Sequence, residues 1–391
     1  MSFAGYNFQQ LSFEQGPIRP PSEAKSLLIR VTRNCPWNKC LFCRTYKGTT
    51  FSLRSVEEVK QDIETIKKIY DEIKSISWKM GLKGEVTEEV IYYLYSHPEQ
   101  YSSSFFSVAM WLYYGEGSVF LQDGNNLMVK TADLIEILNF LKATFPEITR
   151  ITSYARAKTI AKRKTVEELK ALREAGLSRI HIGLESGSNK VLEFIRKGVS
   201  AEEQIEAGQK VKEAGISLSE YVIPGLGGKA LTEEHARETA RVLNQINPDF
   251  IRLRTLRVVS GAGLDEKVAA GEFEPMGDEE IVQEIRLMIE NLEGIDSYLV
   301  SDHILNLLEE VEGKFPQDKA KMIAVIDRFL ALPFKEKCNF RLGRRANIYH
   351  TLDDLSQSHL YQQVDKALKQ IMASGEKGLE EAINQLAQQF V

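Results

Sequence analysis

The sequence predicts an α/β protein built as a partial (βα)6 TIM-like barrel, with a helical insertion and a helical C-terminal extension. Three observations predict this fold. Apolar runs alternate with amphipathic stretches from residue 25 to about residue 256. Glycines end several of the amphipathic stretches, and after about residue 270 only helical patterns follow. A doubly wound sheet is the alternative fold, and in both folds ligands bind at the carboxyl ends of the strands.

Six strands and five helices alternate along this part of the chain. The predicted strands are 25–31, 117–122, 149–154, 178–185, 217–225 and 249–256. The predicted helices between them are 55–71, 132–144, 166–174, 202–214 and 233–245. Ser55 and Glu58 form a capping box at the start of the first helix. Gly176 and Gly215 directly follow two later helices, as is typical of helix ends.

Two regions depart from this alternation. Residues 76–115 are rich in aromatic side chains, and we expect a pair of helices that pack on the barrel. A lid over the site is the alternative role for this segment, and Trp111 and Tyr114 would then be its first residues to test. Beyond the barrel, helical patterns cover 279–291, 303–310, 320–332, 361–372 and 378–390. The predicted division is a 1–24 N-terminal segment, a 25–265 barrel and a 266–391 helical extension.

The composition narrows the class of protein. The 391 residues contain 50 Lys and Arg against 55 Asp and Glu, a formal charge of −5. This balance argues against a dedicated nucleic-acid coat, so nucleic acid is not the expected partner. No signal-peptide pattern begins the chain, and no apolar run approaches the roughly 18 residues of a membrane span. Four cysteines in a chain of this length do not form a disulfide framework, so we expect a cytoplasmic protein without membrane contact.

Three cysteines follow the first predicted strand in the segment RVTRNCPWNKCLFCRTYKG. Cys35, Cys40 and Cys43 have the spacing C-x4-C-x2-C. Three thiolates this close suit a soft metal or an iron–sulfur cluster. A structural zinc site ordinarily takes four ligands, and the nearest histidine is the distant His97. Three ligands favour a cubane cluster with one iron left open, with unpaired structural cysteines as the alternative.

These features together resemble the radical S-adenosylmethionine (SAM) superfamily. The resemblance rests on the three cysteines after the first strand, on Phe42 directly before the last of them, and on the barrel that follows. The usual spacing in that superfamily is C-x3-C-x2-C, so this chain has one extra residue. RIHIGLESGSNKVLEFIRKG, residues 179–198, is similar to the elongator catalytic subunit and to the oxygen-independent coproporphyrinogen dehydrogenases. The resemblance covers about residues 25–260, and it leaves the subfamily open.

The resemblance implies a [4Fe–4S] cluster held by the three cysteines, and a SAM site beside it. FLQDGNN (120–126) takes the place of the turn that meets the methionine amino group, here through backbone carbonyls. Glu185 would bind the ribose hydroxyls, and Lys197 or Arg196 the SAM carboxylate. Helix-end roles are the alternative for these charged residues. The implied cofactor-binding residues are Phe42, Gln122, Asp123, Gly124, Asn125, Ser153, Arg156, Glu185, Lys197, Ile223 and Leu253.

The resemblance also implies a reaction. Such an enzyme cleaves SAM reductively to a 5′-deoxyadenosyl radical, which abstracts a hydrogen atom from a substrate. We expect a small polar substrate and an electron donor such as flavodoxin or ferredoxin. Modification of RNA or of a peptide is the alternative within the superfamily. A non-catalytic iron–sulfur electron-transfer protein and a zinc-stabilised interaction scaffold are the alternatives from other classes.

The residues that act on the substrate are less evident from the sequence. Tyr221, Arg254 and Cys338 are the candidates. Arg252 and Arg254 lie two apart on one strand and so face the same side, where they suit an anionic substrate or the SAM carboxylate. Cys338 is interpreted as a buried thiol, with a hydrogen-atom donor as the alternative.

Several other polar residues receive structural interpretations. The arginines at 341, 344 and 345 are expected on a solvated basic face, with a substrate anion site as the alternative. His181 alternates with apolar neighbours and is expected to be a buried structural histidine. His303 follows Ser301 and Asp302, which suit the cap of a new helix.

Overall fold

The computed structural model describes residues 8–373 and 375–388. Its strands are β1 (Leu27–Arg30), β2 (Thr32–Arg33), β3 (Ser52–Leu53), β4 (Ser118–Gln122), β5 (Arg150–Ala155), β6 (Leu177–Glu185), β7 (Ser217–Val222), β8 (Phe250–Leu253), β9 (Tyr298–Val300) and β10 (Gly313–Lys314). Eight of them form one sheet in the order β1-β4-β5-β6-β7-β8-β9-β10, and β2 pairs with β3. The sheet is mostly parallel, and the predicted partial TIM-like fold is confirmed.

Fifteen helices are present in the described residues. They are α1 (Val56–Lys79), α2 (Glu88–Tyr95), α3 (Ser103–Tyr114), α4 (Thr131–Thr144), α5 (Ala157–Arg163), α6 (Val166–Ala175), α7 (Asn189–Phe194), α8 (Ala201–Glu213), α9 (Gly228–Ile246), α10 (Leu264–Ala269), α11 (Asp278–Asn291), α12 (Lys319–Leu330), α13 (Phe334–Arg345), α14 (Ser358–Met372) and α15 (Glu376–Gln388). None of the described helices is long and apolar enough to cross a membrane.

The first of two compact units comprises Met1–Pro36, Gly48–His181 and Glu213–Ser217. Its strands β1, β4 and β5 are parallel neighbours, and Leu27 pairs with Val119. The capping box predicted for α1 is confirmed, because the Ser55 hydroxyl accepts from the Glu58 N–H and the Glu58 carboxylate accepts from the Ser55 N–H. The buried face of α1 is a row of β-branched residues at helical spacing, namely Val59, Ile63, Ile66, Ile69, Ile73 and Ile76.

The aromatic-rich segment contains α2 and α3, and α3 packs against α1 and β1 of the same unit. Trp111 on α3 is buried, with its ring 5.6 Å from that of Phe145 and 6.4 Å from that of Tyr70. α3 ends at Gly115, whose φ of 66° is the left-handed conformation that glycine adopts readily. Trp111 therefore takes the packing role expected for this segment, and Tyr114 stays partly exposed.

The second unit comprises Trp37–Lys47, Ile182–Lys212 and Leu218–Val391. Here β7, β8 and β9 are parallel, and β10 is antiparallel to β9. Two expectations are wrong in this unit. The extension is not wholly helical, because β9 and β10 enlarge the sheet from six strands to eight. The segment predicted as a helix at 303–310 is an irregular loop, since Asn306 binds the backbone oxygen of Leu253 (2.9 Å) and the N–H of Thr255 (2.9 Å) instead of continuing a helix.

The predicted division into 1–24, 25–265 and 266–391 stays a prediction. Residues 1–7 of its first segment, and residues 374 and 389–391 of its last, lie outside the described residues.

Candidate functional site

Three of the four cysteines lie on the chain between β2 and β3. Cys35 belongs to the first unit, whereas Cys40 and Cys43 belong to the second. All three are half-exposed, and Cys338 is buried on α13 as interpreted from the sequence. None of the four, all of them within the described residues, is in a disulfide bond.

The part of this loop in the second unit is anchored mainly through its backbone. The Leu41 N–H donates to the Ile195 oxygen at 2.9 Å, and the Leu41 oxygen accepts from the Leu264 N–H at 2.9 Å. The indole N–H of Trp37 donates to the oxygen of Arg196 at 2.7 Å. The Leu41 side chain is buried in the apolar cluster that also contains Ile195 and Leu264. This anchoring fixes the backbone near Cys40 while its thiol stays half-exposed.

The donor chemistry of the loop fits an iron–sulfur cluster. Cysteine thiolates are the usual ligands of such clusters, and three of them leave one iron open. Within residues 8–373 and 375–388, no three His, Cys, Asp or Glu side chains are gathered closely enough to hold a metal ion. The residue type and number fit the cluster.

At the carboxyl end of β4, the polar side chains are bound within the first unit. The Asp123 carboxylate is buried and accepts from Arg30 Nε at 2.8 Å and from the Asn34 N–H at 3.1 Å. The Gln122 amide exchanges two hydrogen bonds with the backbone of Gly16, of 2.9 and 3.0 Å. Because these side chains already have protein partners, a ligand at the 122–125 turn, which includes Gly124, would meet backbone atoms.

The neighbouring strand end is similarly occupied. The Ser153 hydroxyl is buried and accepts from the Asn126 amide at 3.0 Å. Asn125 accepts from the backbone N–H of Arg156 at 3.1 Å and donates to Thr159 at 2.8 Å. The first unit therefore uses Ser153 and Asn125 to fix the backbone at the start of α5.

In the second unit, Glu185 and Lys197 form an ion pair of 2.7 Å between Oε1 and Nζ, and each side chain is 12% exposed. Glu185 is the last residue of β6 and has a φ of 63°, which is uncommon for a residue other than glycine. A Cβ at Gly183 would lie 2.1 Å from Glu185 Oε1 and 3.0 Å from Lys197 Nζ, so only glycine leaves room for the pair. Lys197 Nζ also lies 5.8 Å from the centre of the Phe42 ring, within cation–π range. The structure thus brings together Phe42, Glu185 and Lys197.

Glu220 is a residue of this region that the sequence analysis missed. It is fully buried on β7. Burial raises the pKa of its carboxyl well above the ordinary value, the charge of Glu185 raises it further, and Lys197 offsets part of the effect. The available signal was an acidic residue inside the otherwise uncharged run SLSEYVIPG.

The ends of β7 and β8 hold the remaining predicted contacts. The Ile223 N–H donates to the Glu185 oxygen at 3.1 Å, and its side chain is in the same apolar cluster as Leu41. Leu253 is buried, and with Thr255 and Arg345 it lines a small internal cavity of about 10 Å³. Tyr221 is half-buried on β7.

The expectation of a solvated basic face on α13 is wrong. Arg341, Arg344 and Arg345 are 7%, 0% and 2% exposed. Asp278, buried at the start of α11, accepts from Arg345 Nη2 at 2.7 Å, Arg341 Nε at 3.1 Å and Arg257 Nη2 at 3.2 Å. Burial alone would raise the pKa of Asp278, but the three guanidinium groups hold it far below its ordinary value.

His181 is buried as expected, with Nε2 3.4 Å from the Glu23 carboxylate. His303 does not begin a helix, because it lies in the loop after β9.

One comparison with known families concerns the region from within α3 to within α9. Residues 109–243 match the sequence profile of the radical SAM superfamily. Over these residues the chain is similar to the radical SAM superfamily, whose members use a [4Fe–4S] cluster and SAM. The matched residues include Glu185, Lys197 and the 122–125 turn, and they do not include the three clustered cysteines.

Several relatives are similar to parts of this chain. The chain is 28% identical over 120 residues to a "tRNA uridine(34) acetyltransferase" of Methanocaldococcus infernus and 27% identical over 118 residues to the protein of the same name in Methanocaldococcus jannaschii. Each alignment covers 30% of this chain, which spans about a fifth (22%) of either relative. Among solved structures, methylornithine synthase (PylB) aligns with a TM-score of 0.42 and 15% identity, over 76% of this chain and 68% of the other.

Proposed function

We propose that this enzyme binds a [4Fe–4S] cluster through Cys35, Cys40 and Cys43, binds SAM beside it, and abstracts a hydrogen atom from a small polar substrate. When bound, the reduced cluster supplies the electron that cleaves SAM to a 5′-deoxyadenosyl radical. The protein itself must bind the two groups, orient a substrate C–H bond and exclude water.

The Glu185–Lys197 ion pair is the observation that carries the proposal. SAM offers ribose hydroxyls, which donate to a carboxylate, and a carboxylate, which accepts from an ammonium group. In the protein alone each charge neutralises the other at 2.7 Å. A zwitterionic ligand can replace both halves of the pair at once, so that neither charge is left without a partner.

The backbone of Glu185 supports a ligand-binding role. A non-glycine residue in the left-handed region is strained by about 1–3 kcal/mol, and such strain is concentrated at functional sites. Gly183 provides the space for the pair, and Phe42 places an aromatic face by the ammonium group. Phe42 directly precedes Cys43, so this contact couples the cysteine loop to Lys197.

RNA modification is the second candidate, and one comparison favours it. Two relatives with names that specify tRNA uridine align with this chain over 120 and 118 residues. The expectation that nucleic acid is not a partner therefore lacks support. An RNA substrate would change the identity of the reacting C–H bond but none of the roles given to the cysteines, Glu185 and Lys197.

The test is anaerobic reconstitution with iron and sulfide, followed by reduction with dithionite in the presence of SAM and quantification of 5′-deoxyadenosine. Cys40→Ala should abolish both the cluster absorbance and the product. Cys338→Ala is the matched control and should retain both, because Cys338 is buried on α13. Equal product from the wild type and Cys40→Ala would contradict the proposal.

The same assay separates the two substrate classes. Reactions with and without bulk tRNA, each supplied with flavodoxin or ferredoxin as electron donor, are compared for the rate of 5′-deoxyadenosine formation. A rate that rises only with tRNA would favour the RNA candidate over a small polar substrate.

A further inference from the structure

Three arginines lie in β8 or just after it, and two of them have carboxylate partners. Arg252 Nη1 lies 3.3 Å from Asp302, and its Nε donates to the Ser219 hydroxyl at 3.2 Å. Arg257 is bound to Asp278 at 3.2 Å. Arg254 is exposed, and in the part of the chain that the structure describes no carboxylate lies within 4.0 Å of its guanidinium group. Arg254 is therefore a cation without a counter-ion among the described residues.

The charge of Arg254 acts on the imidazole of His303. Burial chiefly, and then the positive charges of Arg254 and Arg344, lower the pKa of His303 to about 4, so its ring is neutral near pH 7. His303 Nδ1 accepts from the Leu305 N–H at 3.2 Å, which assigns the ring proton to Nε2 as a donor. Arg254 and Arg344 thus impose a positive field on one imidazole from two different elements.

Arg344 adds a second positive charge that acts on His303. Its side chain is completely buried on α13, and Nη2 donates to the Glu309 carboxylate. Its Nε and Nη1 have no hydrogen-bond partner among the described residues. Glu309 also faces His350, with 3.3 Å between Oε2 and Nδ1. Glu309 offsets one of these two positive charges, and the neighbouring Asp302 is paired with Arg252, so a positive excess remains around His303.

This excess of positive charge lies at the carboxyl ends of parallel strands, where such sheets bind ligands. β8 and β9 are parallel, with Arg252 paired to Val300, so Arg254 and His303 both lie just beyond the carboxyl ends of neighbouring strands. A guanidinium group at such a place suits bidentate binding of a phosphate or carboxylate group.

We propose that Arg254 binds an anionic group of the substrate, a phosphate or a carboxylate, with the Nε2–H of His303 as a second donor and with Arg344 supplying charge. Arg254 makes the direct contact because it is exposed, whereas the buried Arg344 acts through its field. As a substrate subsite this inference rests on the proposed function, and the binding step itself requires neither the cluster nor SAM.

His303 is a built-in reporter for the test. The full-length, anaerobically reconstituted protein carries carbon-13 at histidine Cε1, and its NMR spectrum is followed during a titration with inorganic phosphate at pH 6.5. The His303 resonance is assigned from its loss in His303→Gln. We expect a saturable shift of that signal, because an anion offsets the field that disfavours protonation of the ring. Arg254→Gln should weaken phosphate binding by at least about tenfold, the loss of one charge-assisted contact. Arg237→Gln, at an exposed arginine paired with Glu233, should leave it unchanged.

Three outcomes would overturn the inference. One is no saturable shift in the wild type, and another is an equal phosphate affinity in Arg254→Gln. The third is competition between SAM and phosphate, which would assign the cations to the SAM carboxylate. Titrations with acetate, ribose 5-phosphate and a short single-stranded RNA then distinguish the source of the anion. If 5′-deoxyadenosine is not formed while phosphate still binds through Arg254, the proposed function fails and the anion site stands.

Discussion

Replacing Asp278 with asparagine should strongly destabilise the second unit. Its carboxylate accepts from Arg345, Arg341 and Arg257 at 2.7, 3.1 and 3.2 Å, and it is buried. Arg341 keeps a second carboxylate, since Glu380 lies 2.8 Å from it. Arg345 and Arg257 lose the carboxylate that neutralises them. Removing one partner of a buried ion pair costs about 3–5 kcal/mol, which is a large part of the roughly 5–15 kcal/mol that stabilises a folded protein.

The assay is thermal unfolding followed by circular dichroism, in which this loss should lower the apparent Tm by at least about 4 °C. Asp327→Asn is the matched control, because Asp327 and its partner Arg286, 2.6 Å apart, are both partly exposed, so it should change the free energy of unfolding by less than about 1 kcal/mol. The pKa of Asp278 is lower in the folded state than in the unfolded state, where it is near 4. The stability that the Asp278 carboxylate adds is therefore fully present above the unfolded-state pKa, and it is lost only as the pH falls toward the folded-state pKa. The difference from the wild type should therefore persist from pH 5 to pH 8. A Tm for Asp278→Asn equal to that of Asp327→Asn would refute the reasoning.

The remaining predictions concern the Glu185 region. Gly183→Ala places a Cβ 2.1 Å from Glu185 Oε1, so it should separate the Glu185–Lys197 ion pair and weaken SAM binding, as measured by equilibrium dialysis. A wild-type affinity for SAM would contradict the role assigned to this ion pair. Glu185→Gly relieves the positive φ but leaves the mostly buried Lys197 ammonium without its carboxylate, so it should bind SAM more weakly and unfold below the wild-type temperature. Glu220→Gln should raise the Tm more at pH 8 than at pH 4.5. The folded-state pKa of Glu220 is raised, so its carboxyl destabilises the protein as the pH rises from the unfolded-state pKa toward the folded-state pKa. An equal effect at both pH values would mean that Glu220 ionises normally.

The alternation of strands and helices could be predicted because each element has a local signal. The Ser55–Glu58 capping box fixes the start of α1, and the buried strands are apolar runs. β9 and β10 lack such signals, since they are only three and two residues long and depend on pairing with neighbours. The loop after β9 was mistaken for a helix because its interactions are made with β8, which lies some 50 residues earlier in the chain.

The charged residues were the least predictable part of the site. The α13 arginines have the composition of a solvated face, and only the fold shows that Asp278, more than 60 residues earlier, is buried between them. Glu185 and Lys197 were singled out by resemblance, yet the close approach of Gly183 is a geometric fact that no residue pattern states. Glu220 was missed for the same reason, since its ionisation depends on burial.

The anchoring of the cysteine loop has a consequence for biosynthesis. Trp37 donates to a carbonyl group 159 residues further along the chain. At translation rates of about 5–20 residues per second, that acceptor leaves the ribosome roughly 8–32 s after the tryptophan. We expect Cys35, Cys40 and Cys43 to spend this interval as thiols on a nascent chain without this support. Delivery of iron and sulfide to a finished polypeptide, rather than to one still being translated, would then be the productive order of events.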